Sequence, residues 1–542
     1  MRRRWLVFLL LPVFLITLNI QGKADPNILL VVLDTTRPDH LGCYGYERPT
    51  TPNIDQLAKD AILFTEAISV IPLTTPSHAS IMTGLHPGSH LVYRNAYPVD
   101  DKFVMMAEIL RKAGYLTGGF VSVKLVGSRV GFDQGFDYFS DAIWERRRPM
   151  GSKWSDQRRR DLMGSRRGDQ TIEEALQWLS ENVERKFFLW VHLYDPHLPY
   201  DPPKAYGIKF NPNYKKGSGD QGCLPDDHTD YIDIDKGKRD EEGPYQRQTS
   251  SIPGKFSRKR LSKMPFRPIP PMSRHRRGFR RELSPDEVQS WIDAYDGEIA
   301  FDDDQLKRIL DLLKVRGVYE NTIVIIMGDH GEILYEKAHY FGHHLFLYQG
   351  SLKIPLIMKF PGITPRRIQQ RITQMDILPT LLDAVGIKNE GKVDGQSFWP
   401  LIAQGREVKS QEYEILVTHS RDFPRGVRAR KAPEGNQKTP YVARKRPSKF
   451  SQLFPKIAIL KDNWKLIKQI FPDESYELYN LKGDPLEQND LHSTDQGKAI
   501  LEDLEDDLKA YLDTKKEIET KKIMKKPDDA TIRHLKSLGY IQ

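Results

Sequence analysis

Four short runs of apolar residues, each bounded by polar or turn-forming residues, indicate strands buried in a core. They occupy residues 27–33, 187–191, 322–327 and 355–358. An unbroken apolar run of this length is typical of a strand that is covered on both faces of a parallel sheet. Between these runs, apolar residues recur at helical spacing, for example over 172–183 and 302–313. The alternation of strands and helices predicts an α/β layered domain.

The pattern changes towards the C-terminus. Residues 457–484 are typical of short strands joined by turns, and residues 496–515 are typical of a charged amphipathic helix. We therefore expect a layered domain over residues 25–420, a polar, basic insertion within it over 205–285, and a C-terminal subdomain with a tail over 421–542.

The first residues have the layout of a secretory signal peptide. Three arginines at positions 2–4 precede an apolar run over 5–20, and small residues follow near position 24. The alternative is an uncleaved membrane anchor, but a membrane-spanning helix needs about 20 apolar residues and this run is shorter. We expect a signal peptide over residues 1–24 and a secreted or periplasmic protein, with a retained N-terminal anchor as the alternative.

The net charge of +9 is concentrated in segments that lack apolar periodicity. Residues 255–281 contain 11 Lys or Arg residues and no Asp or Glu, and without them the rest of the chain is slightly acidic. Residues 146–167 and 425–449 are smaller basic stretches. Solvated loops are the favoured interpretation, and peripheral contact with anionic lipid headgroups or polysaccharide is the alternative. The charge does not indicate a nucleic-acid partner.

Polar clusters follow two of the predicted strands. Asp34 comes directly after the first strand, and Asp329 and His330 come after the third. Reactive groups collect at the carboxyl ends of strands in α/β sheets, so these side chains are candidates for a cation site. Each of them alone could equally be a helix cap or a turn former.

Thr74 precedes a predicted helix start at Thr75 and Pro76. A hydroxyl at the N-terminus of a helix faces unpaired N–H groups and the positive end of the helix dipole. This placement suits a nucleophile that attacks an anionic tetrahedral centre. The alternative is that Thr74 is one of several capping hydroxyls.

Two motifs stand out, namely the opening NILLVVLDTTRPDHLGCYGYERPTTPNID and residues 74–84. They resemble the sulfatase family of the alkaline-phosphatase superfamily: the first is similar to the family's opening, and the second matches its signature C/S-x-P-S-R-x-x-x-x-T-G. Further matches follow in the family's order, namely residues 193–200, 295–300, 328–332, 341–344 with Tyr348, 354–357, 477–481 and 484–488. The resemblance spans almost the whole mature chain outside the insertions. It implies a mixed, mainly parallel sheet between helices and a small C-terminal α+β subdomain.

The chain departs from the sulfatase signature in four places. Thr74 replaces the Cys or Ser that sulfatases convert to formylglycine, and a secondary alcohol cannot give that aldehyde. His78 replaces the signature arginine, and Thr35 replaces a second acidic metal ligand. His330 follows Asp329 where calcium sulfatases have Asn.

These departures together resemble the threonine-nucleophile site of phosphoglycerol and phosphoethanolamine transferases in the same superfamily. That resemblance implies one divalent metal ion held by Asp34, Thr74, Asp329 and His330. An imidazole ligand favours Mn or Zn, with Ca or Mg as alternatives.

The resemblance also implies the roles of the other site residues. Thr74 would be the nucleophile, His197 and His343 would stabilise oxygens or transfer protons, and Asn95 and His78 would contact the substrate. We expect a hydrolase or transferase acting on an anionic ester of the phosphate type, such as a phosphomonoester, phosphodiester or phosphonate, or on a sulfate ester. The substrate could be an ester of a glycan or of a lipid headgroup, and the sequence does not determine the leaving group.

Two other functions stay open at this point. One is a sulfatase that acts without formylglycine. The other is a non-catalytic protein that binds anionic glycans or lipids. The sequence does not determine the oligomeric state.

Overall fold

The computed structural model describes residues 25–141, 164–215, 283–337, 341–344, 346–409, 411–418, 456–470 and 474–514. The expected signal peptide and most of the three basic segments lie outside these residues. None of the helices within the described ranges is long and apolar enough to cross a membrane.

The centre of the described structure is a mixed sheet of eight strands. Its strands are β1 (Asn27–Leu33), β2 (Ile62–Phe64), β4 (Leu116–Val121), β5 (Tyr138–Ser140), β6 (Phe187–Leu193), β7 (Thr322–Gly328), β10 (Leu356–Lys359) and β11 (Arg366–Ile368). They lie side by side in the order β11-β2-β10-β7-β1-β6-β4-β5. Most neighbouring pairs are parallel, and β10 runs antiparallel to β2 and β7. The predicted mixed, mainly parallel sheet is confirmed.

Two short strand pairs lie beside this sheet. They are formed by β3 (Ala67–Ile68) with β12 (Ile372–Thr373) and by β8 (Ile333–Leu334) with β9 (Phe341–Gly342).

Strand β1 lies in the middle of the sheet and is buried along its whole length. Alternate side chains of a strand point to opposite faces, so Ile28, Leu30 and Val32 pack in one apolar cluster while Leu29 and Val31 pack in another. Both faces of the sheet are therefore covered, which explains the unbroken apolar run.

Helices cover both faces of the sheet. They are α1 (Pro52–Ala58), α2 (Thr74–Thr83), α3 (Pro87–His90), α4 (Met106–Lys112), α5 (Gly168–Asn182), α6 (Lys204–Phe210), α7 (Pro285–Val315), α8 (Gln349–Leu352), α9 (Ile377–Ala384) and α10 (Trp399–Gln404). The longest, α7, begins with a capping box in which Ser284 and Glu287 bind each other's backbone N–H groups.

The expected insertion over 205–285 is wrong at its N-terminal boundary. Residues 204–210 form helix α6, and Tyr214 lies in the apolar cluster that includes Trp291 of α7. A Cβ atom at Gly207 would lie 2.2 Å from the Tyr214 ring, so the glycine permits this close packing. The described fold therefore continues to residue 215, and it resumes at residue 283.

The C-terminal subdomain begins earlier than residue 421. Its antiparallel sheet contains β13 (Glu414–Thr418), β14 (Lys456–Lys461), β15 (Trp464–Gln469) and β16 (Ser475–Asn480) in that order, and α11 (Asp495–Thr514) packs on it. Strand β13 was assigned to the catalytic domain, but it is buried and pairs with β14 over its five residues. The boundary therefore lies before residue 414.

Candidate active site

The carboxyl ends of β1 and β7 bring two acidic residues together. Leu33 pairs with Gly328 in the parallel ladder, so Asp34 and Asp329 follow at the same edge of the sheet. The Asp329 Oδ1 atom accepts the backbone N–H of Thr35 at 3.1 Å and that of His330 at 2.7 Å. The backbone therefore determines the orientation of the Asp329 carboxylate.

Thr74 is the first residue of α2 and is completely buried. Its Oγ1 atom lies 3.5 Å from Nε2 of His330. Ser77, one turn further along α2, donates to the backbone carbonyl of Asp329 at 2.7 Å and so ties the helix to β7. The structure thus brings Asp34, Thr74, Asp329 and His330 to one place.

Two buried carboxylates in this site lack enough hydrogen-bond donors. Oδ1 of Asp34 and Oδ2 of Asp329 have no hydrogen-bond partner among the described residues. Burial raises the pKa of Asp34 well above its ordinary value, and the charges of Asp329 and Glu332 raise it further, while the Thr74 hydroxyl partly opposes them. Burial also raises the pKa of Asp329 to about 6. A buried carboxylate without a compensating charge raises the free energy of the folded protein, and a bound cation would supply that compensating charge.

The donor atoms fit a divalent metal ion. Oxygens of Asp34 and Asp329 and one ring nitrogen of His330 all lie within 4.8 Å of one another, and they form the only such group within the described ranges. Nδ1 of His330 lies 3.0 Å from the carbonyl oxygen of Gly331, so Nδ1 carries the proton and Nε2 is free to act as a ligand. Two carboxylates, a hydroxyl and an imidazole suit Mn or Zn.

Two histidines lie beside the cation site. Nδ1 of His197 lies 2.5 Å from the carbonyl of Leu198, and Nδ1 of His343 lies 2.8 Å from the carbonyl of Pro72. The two Nε2 atoms are 3.2 Å apart, and the His343 ring lies against His330 with 4.3 Å between ring centroids. Burial lowers the pKa of His343 well below its ordinary value. The two Nε2 atoms therefore face each other beside the candidate cation site.

Asn95 lies next to the start of α2. Its Oδ1 atom accepts the backbone N–H of Thr75 at 3.0 Å, which orients the amide. The Nδ2 atom is buried and has no hydrogen-bond partner among the described residues. A donor in this state fits an anionic oxygen of a substrate.

His78 lies on α2, one turn after Thr74. The ring is completely buried against Trp190 and Phe132, and its Nδ1 atom donates to the carbonyl of Thr74 at 2.9 Å. Nδ1 is also 3.7 Å from Oδ2 of Asp329. These contacts fit a support for the α2 start and for Asp329. Nε2 of His78 is buried and has no hydrogen-bond partner among the described residues, and the expected substrate contact of His78 stays a prediction.

Sequence reasoning missed two residues of this site. His192 lies 3.2 Å from Asp34, but it occurs inside the apolar run of β6 and thus looks like part of the core. Tyr295 of α7 donates to the carbonyl of Thr35 at 2.8 Å and accepts the N–H of Arg37 at 3.0 Å. Thr35 has φ of 51°, which is rare for a β-branched residue, so the Tyr295 contacts stabilise a strained strand end. The sequence contained no signal for either contact, because each contact joins parts of the chain that are distant in sequence.

The family model for sulfatases matches residues 26–387. The chain therefore belongs to the sulfatase family and is an ester hydrolase of that family, and the predicted family is confirmed.

Named relatives cover most of the chain at low identity. An N-acetylglucosamine-6-O-sulfatase of Bacteroides thetaiotaomicron is 24% identical over 534 residues, which cover 90% of this chain and 87% of the relative. A choline-sulfatase of Rhizobium meliloti is 23% identical over 507 residues, covering 88% and 84%.

Among solved structures, the phosphonate monoester hydrolase of Agrobacterium radiobacter is similar with a TM-score of 0.63 and 21% identity, over 90% of this chain and 96% of that one. A structure solved in complex with its substrate D-glucosamine-2-N,6-O-disulfate gives a TM-score of 0.64 at 18% identity, covering 91% and 99%. These similarities support the fold.

Proposed function

We propose that this protein cleaves phosphate-type esters with Thr74 as its nucleophile and one divalent metal ion held by Asp34, Thr74, Asp329 and His330. The observation that carries the proposal is the buried Thr74 hydroxyl, which lies 3.5 Å from Nε2 of His330 at a helix N-terminus. A bound Mn or Zn ion would lower the pKa of the hydroxyl and withdraw charge from the substrate oxygens.

The residues of the chain divide the reaction into two displacements. In the first step Thr74 Oγ1 gives its proton to the His197–His343 pair and forms a bond to phosphorus, while the bond to the leaving-group oxygen breaks. The pair passes this proton to the leaving-group oxygen. In the second step the same pair removes a proton from a water or an acceptor hydroxyl, which attacks phosphorus, and the pair returns that proton to Thr74 Oγ1 as the bond between phosphorus and Oγ1 breaks. The Asn95 amide would donate to an anionic oxygen of the substrate in both steps.

The preference for phosphorus follows from the chemistry of threonine. An aldehyde hydrate can expel sulfate from its covalent adduct by elimination, whereas a threonine ester must be cleaved by a second attack at the central atom. Displacement at phosphorus through an alkoxide suits one divalent cation and a neighbouring base. The mature protein would act outside the cytoplasm, on an anionic ester that can carry a glycan or a lipid headgroup.

Hydrolysis of sulfate esters is the second candidate. It is favoured by the relatives, since the N-acetylglucosamine-6-O-sulfatase and the choline-sulfatase each cover more than four fifths of the chain. A non-catalytic role in binding anionic glycans or lipids is less favoured, because the site combines the nucleophile, the metal ligands and a pair of histidines.

A substrate panel tests the proposal. The protein beginning at residue 25 is incubated with aryl phosphate, diaryl phosphate, aryl phosphonate and aryl sulfate, with Mn, Zn, Ca or Mg added separately. Thr83→Ala is the matched control, because Thr83 lies on the same helix and bonds the carbonyl of Ala79. We expect a phosphorus ester to be the fastest substrate and to require Thr74. Faster cleavage of the aryl sulfate, with activity that survives Thr74→Ala, would contradict the proposal.

A further inference from the structure

His192 is a buried histidine with direct contact to Asp34. It lies on β6 between β1 and β4, where it pairs with Val32 and Val121 in the parallel ladders. Its Nε2 atom is 3.2 Å from Oδ2 of Asp34, and the side chain is completely buried. We propose that His192 is a positioning residue that holds Oδ2 of Asp34, so that Oδ1 is directed at the cation. The proposal rests on the cation site of the proposed function.

The direction of this hydrogen bond follows from the chemistry of its two partners. A cation at this site would keep Asp34 ionised, and an ionised carboxylate only accepts hydrogen bonds, so Nε2 of His192 would carry the proton. In the neutral ring Nδ1 is then an acceptor, and it has no hydrogen-bond partner among the described residues. A buried polar atom without a partner reduces stability. The other residues of β6 are all apolar, so packing alone would favour an apolar residue at position 192.

The two acidic ligands are oriented in different ways. Asp329 receives two backbone N–H groups at one oxygen, from Thr35 and His330. Asp34 receives no such backbone donor in the described structure, and the side chain of His192 holds its Oδ2 atom instead. Removing the imidazole donor would leave the Thr74 hydroxyl as the remaining side-chain partner of the Asp34 carboxylate, so the carboxylate would be less firmly held against rotation about χ2. A ligand carboxylate that can rotate binds a metal ion less tightly, which is how outer hydrogen bonds affect metal affinity.

The imidazole itself is held rigidly. Its ring packs edge-on against His78 with 4.8 Å between centroids, and Tyr194 lies 6.3 Å away. The backbone N–H of Asp34 donates to the carbonyl of Leu193 at 2.9 Å, next to His192 on β6. The His192–Asp34 contact is therefore built across two adjacent strands at the centre of the sheet.

Two substitutions separate the hydrogen bond from the packing. His192→Met keeps a side chain of similar length without a donor, and His192→Gln places an amide N–H near the position of Nε2. Mn²⁺ binding to the metal-free protein is measured by titration calorimetry, and kcat and KM are measured on the best substrate of the panel. We expect His192→Met to bind Mn²⁺ about 10- to 100-fold more weakly than the wild type and to lower kcat more than it changes KM. His192→Gln should recover most of both losses.

His90→Met is the control for loss of a buried histidine. His90 is also buried, but its ring bonds Ser80 and the N–H of Val92, outside the cation site. We expect this variant to lower the melting temperature and leave Mn²⁺ affinity within about twofold of the wild type. Wild-type affinity in His192→Met, or no recovery in His192→Gln, would overturn the role of His192 alone. A wild-type protein that binds no divalent cation would overturn the cation site as well, whereas the choice between phosphorus and sulfur substrates affects neither result.

Discussion

Nε2 of His197 lies 3.2 Å from Nε2 of His343, while Nδ1 of each ring faces a backbone carbonyl. A carbonyl only accepts hydrogen bonds, so both Nδ1 atoms carry protons and both Nε2 lone pairs point at each other. A single additional proton between them would convert this repulsion into a hydrogen bond. The same proton would be available to a leaving-group oxygen, which is the basis for the proton transfer that we propose for this pair.

Replacing His343 by Gln should affect poor leaving groups most. An alkyl ester needs a proton on its leaving oxygen, whereas a nitrophenolate leaves readily as an anion. We therefore expect kcat for an alkyl phosphate ester to fall by about 10²- to 10⁴-fold, and kcat for the nitrophenyl ester to fall much less. Steady-state kinetics on a series of leaving groups checks this. Equal losses across the series would show that the pair only binds substrate.

Thr74 variants test the nucleophile. Thr74→Ala removes both the attacking oxygen and one expected metal ligand, so activity should fall by several orders of magnitude. Thr74→Ser keeps the hydroxyl and should retain part of the activity. Thr74→Cys restores the first residue of the sulfatase signature, but we expect no aryl sulfatase activity because His78 still occupies the position of the signature arginine. Mass spectrometry of the stalled wild-type enzyme should detect phosphate on Thr74, and modification elsewhere would contradict this assignment.

The sequence predicted those parts of the fold whose pattern is local. Strand β1 agrees with the apolar run residue for residue, because both of its faces are buried. Helix α7 extends over Pro285–Val315 although only residues 302–313 were predicted, since buried polar residues such as Asp293 and Asp296 interrupt its apolar face. The antiparallel direction of β10 could not be predicted, because an apolar run has the same pattern in either direction.

The candidate site was predictable where its residues end strands or begin a helix. Asp34, Thr74 and Asp329 were found in that way. The contact of His192 with Asp34 joins residues that are 158 positions apart. Its geometry depends on the order of strands in the sheet, which no local pattern contains. The resemblance to the sulfatase family likewise did not predict that the Tyr295 hydroxyl donates to the carbonyl of Thr35.

The C-terminal sheet contains a buried ion pair that should be sensitive to the loss of one partner. Nζ of Lys465 lies 2.6 Å from Oε1 of Glu487, and both side chains are almost completely buried. Lys465→Met leaves the Glu487 charge without its partner, so we expect a loss of about 3–5 kcal/mol in the free energy of unfolding. Adding Glu487→Gln should recover much of this loss, because the amide keeps an acceptor for the backbone N–H of Gln349. Urea unfolding of the wild type, both single variants and the double variant measures the coupling, and additive losses would contradict it.

Glu414, at the start of β13, should make stability depend on pH. Burial raises its pKa from an ordinary value of 4.5 to about 8, and the nearby Asp376 charge contributes, while Arg371 opposes the shift. Between these two values the folded protein keeps a proton that the unfolded chain has lost. Stability contributed by this group is therefore complete below about pH 4.5 and decreases as the pH rises towards 8.

Glu414→Gln should reduce that decrease, because an amide has no proton to lose in either state. The wild-type free energy of unfolding should fall between pH 5 and pH 7.5 more steeply than that of the variant, by at most about 1.4 kcal/mol per pH unit. The stability of the variant should still depend on pH to some extent, since burial also raises the pKa of Asp376 to about 6. Glu412→Gln is the matched control, because Glu412 is exposed two residues earlier in the chain. Urea unfolding at several pH values measures the three slopes. If the wild type and Glu414→Gln fall in parallel over this range, Glu414 is ionised in the folded protein and the argument from its burial is wrong.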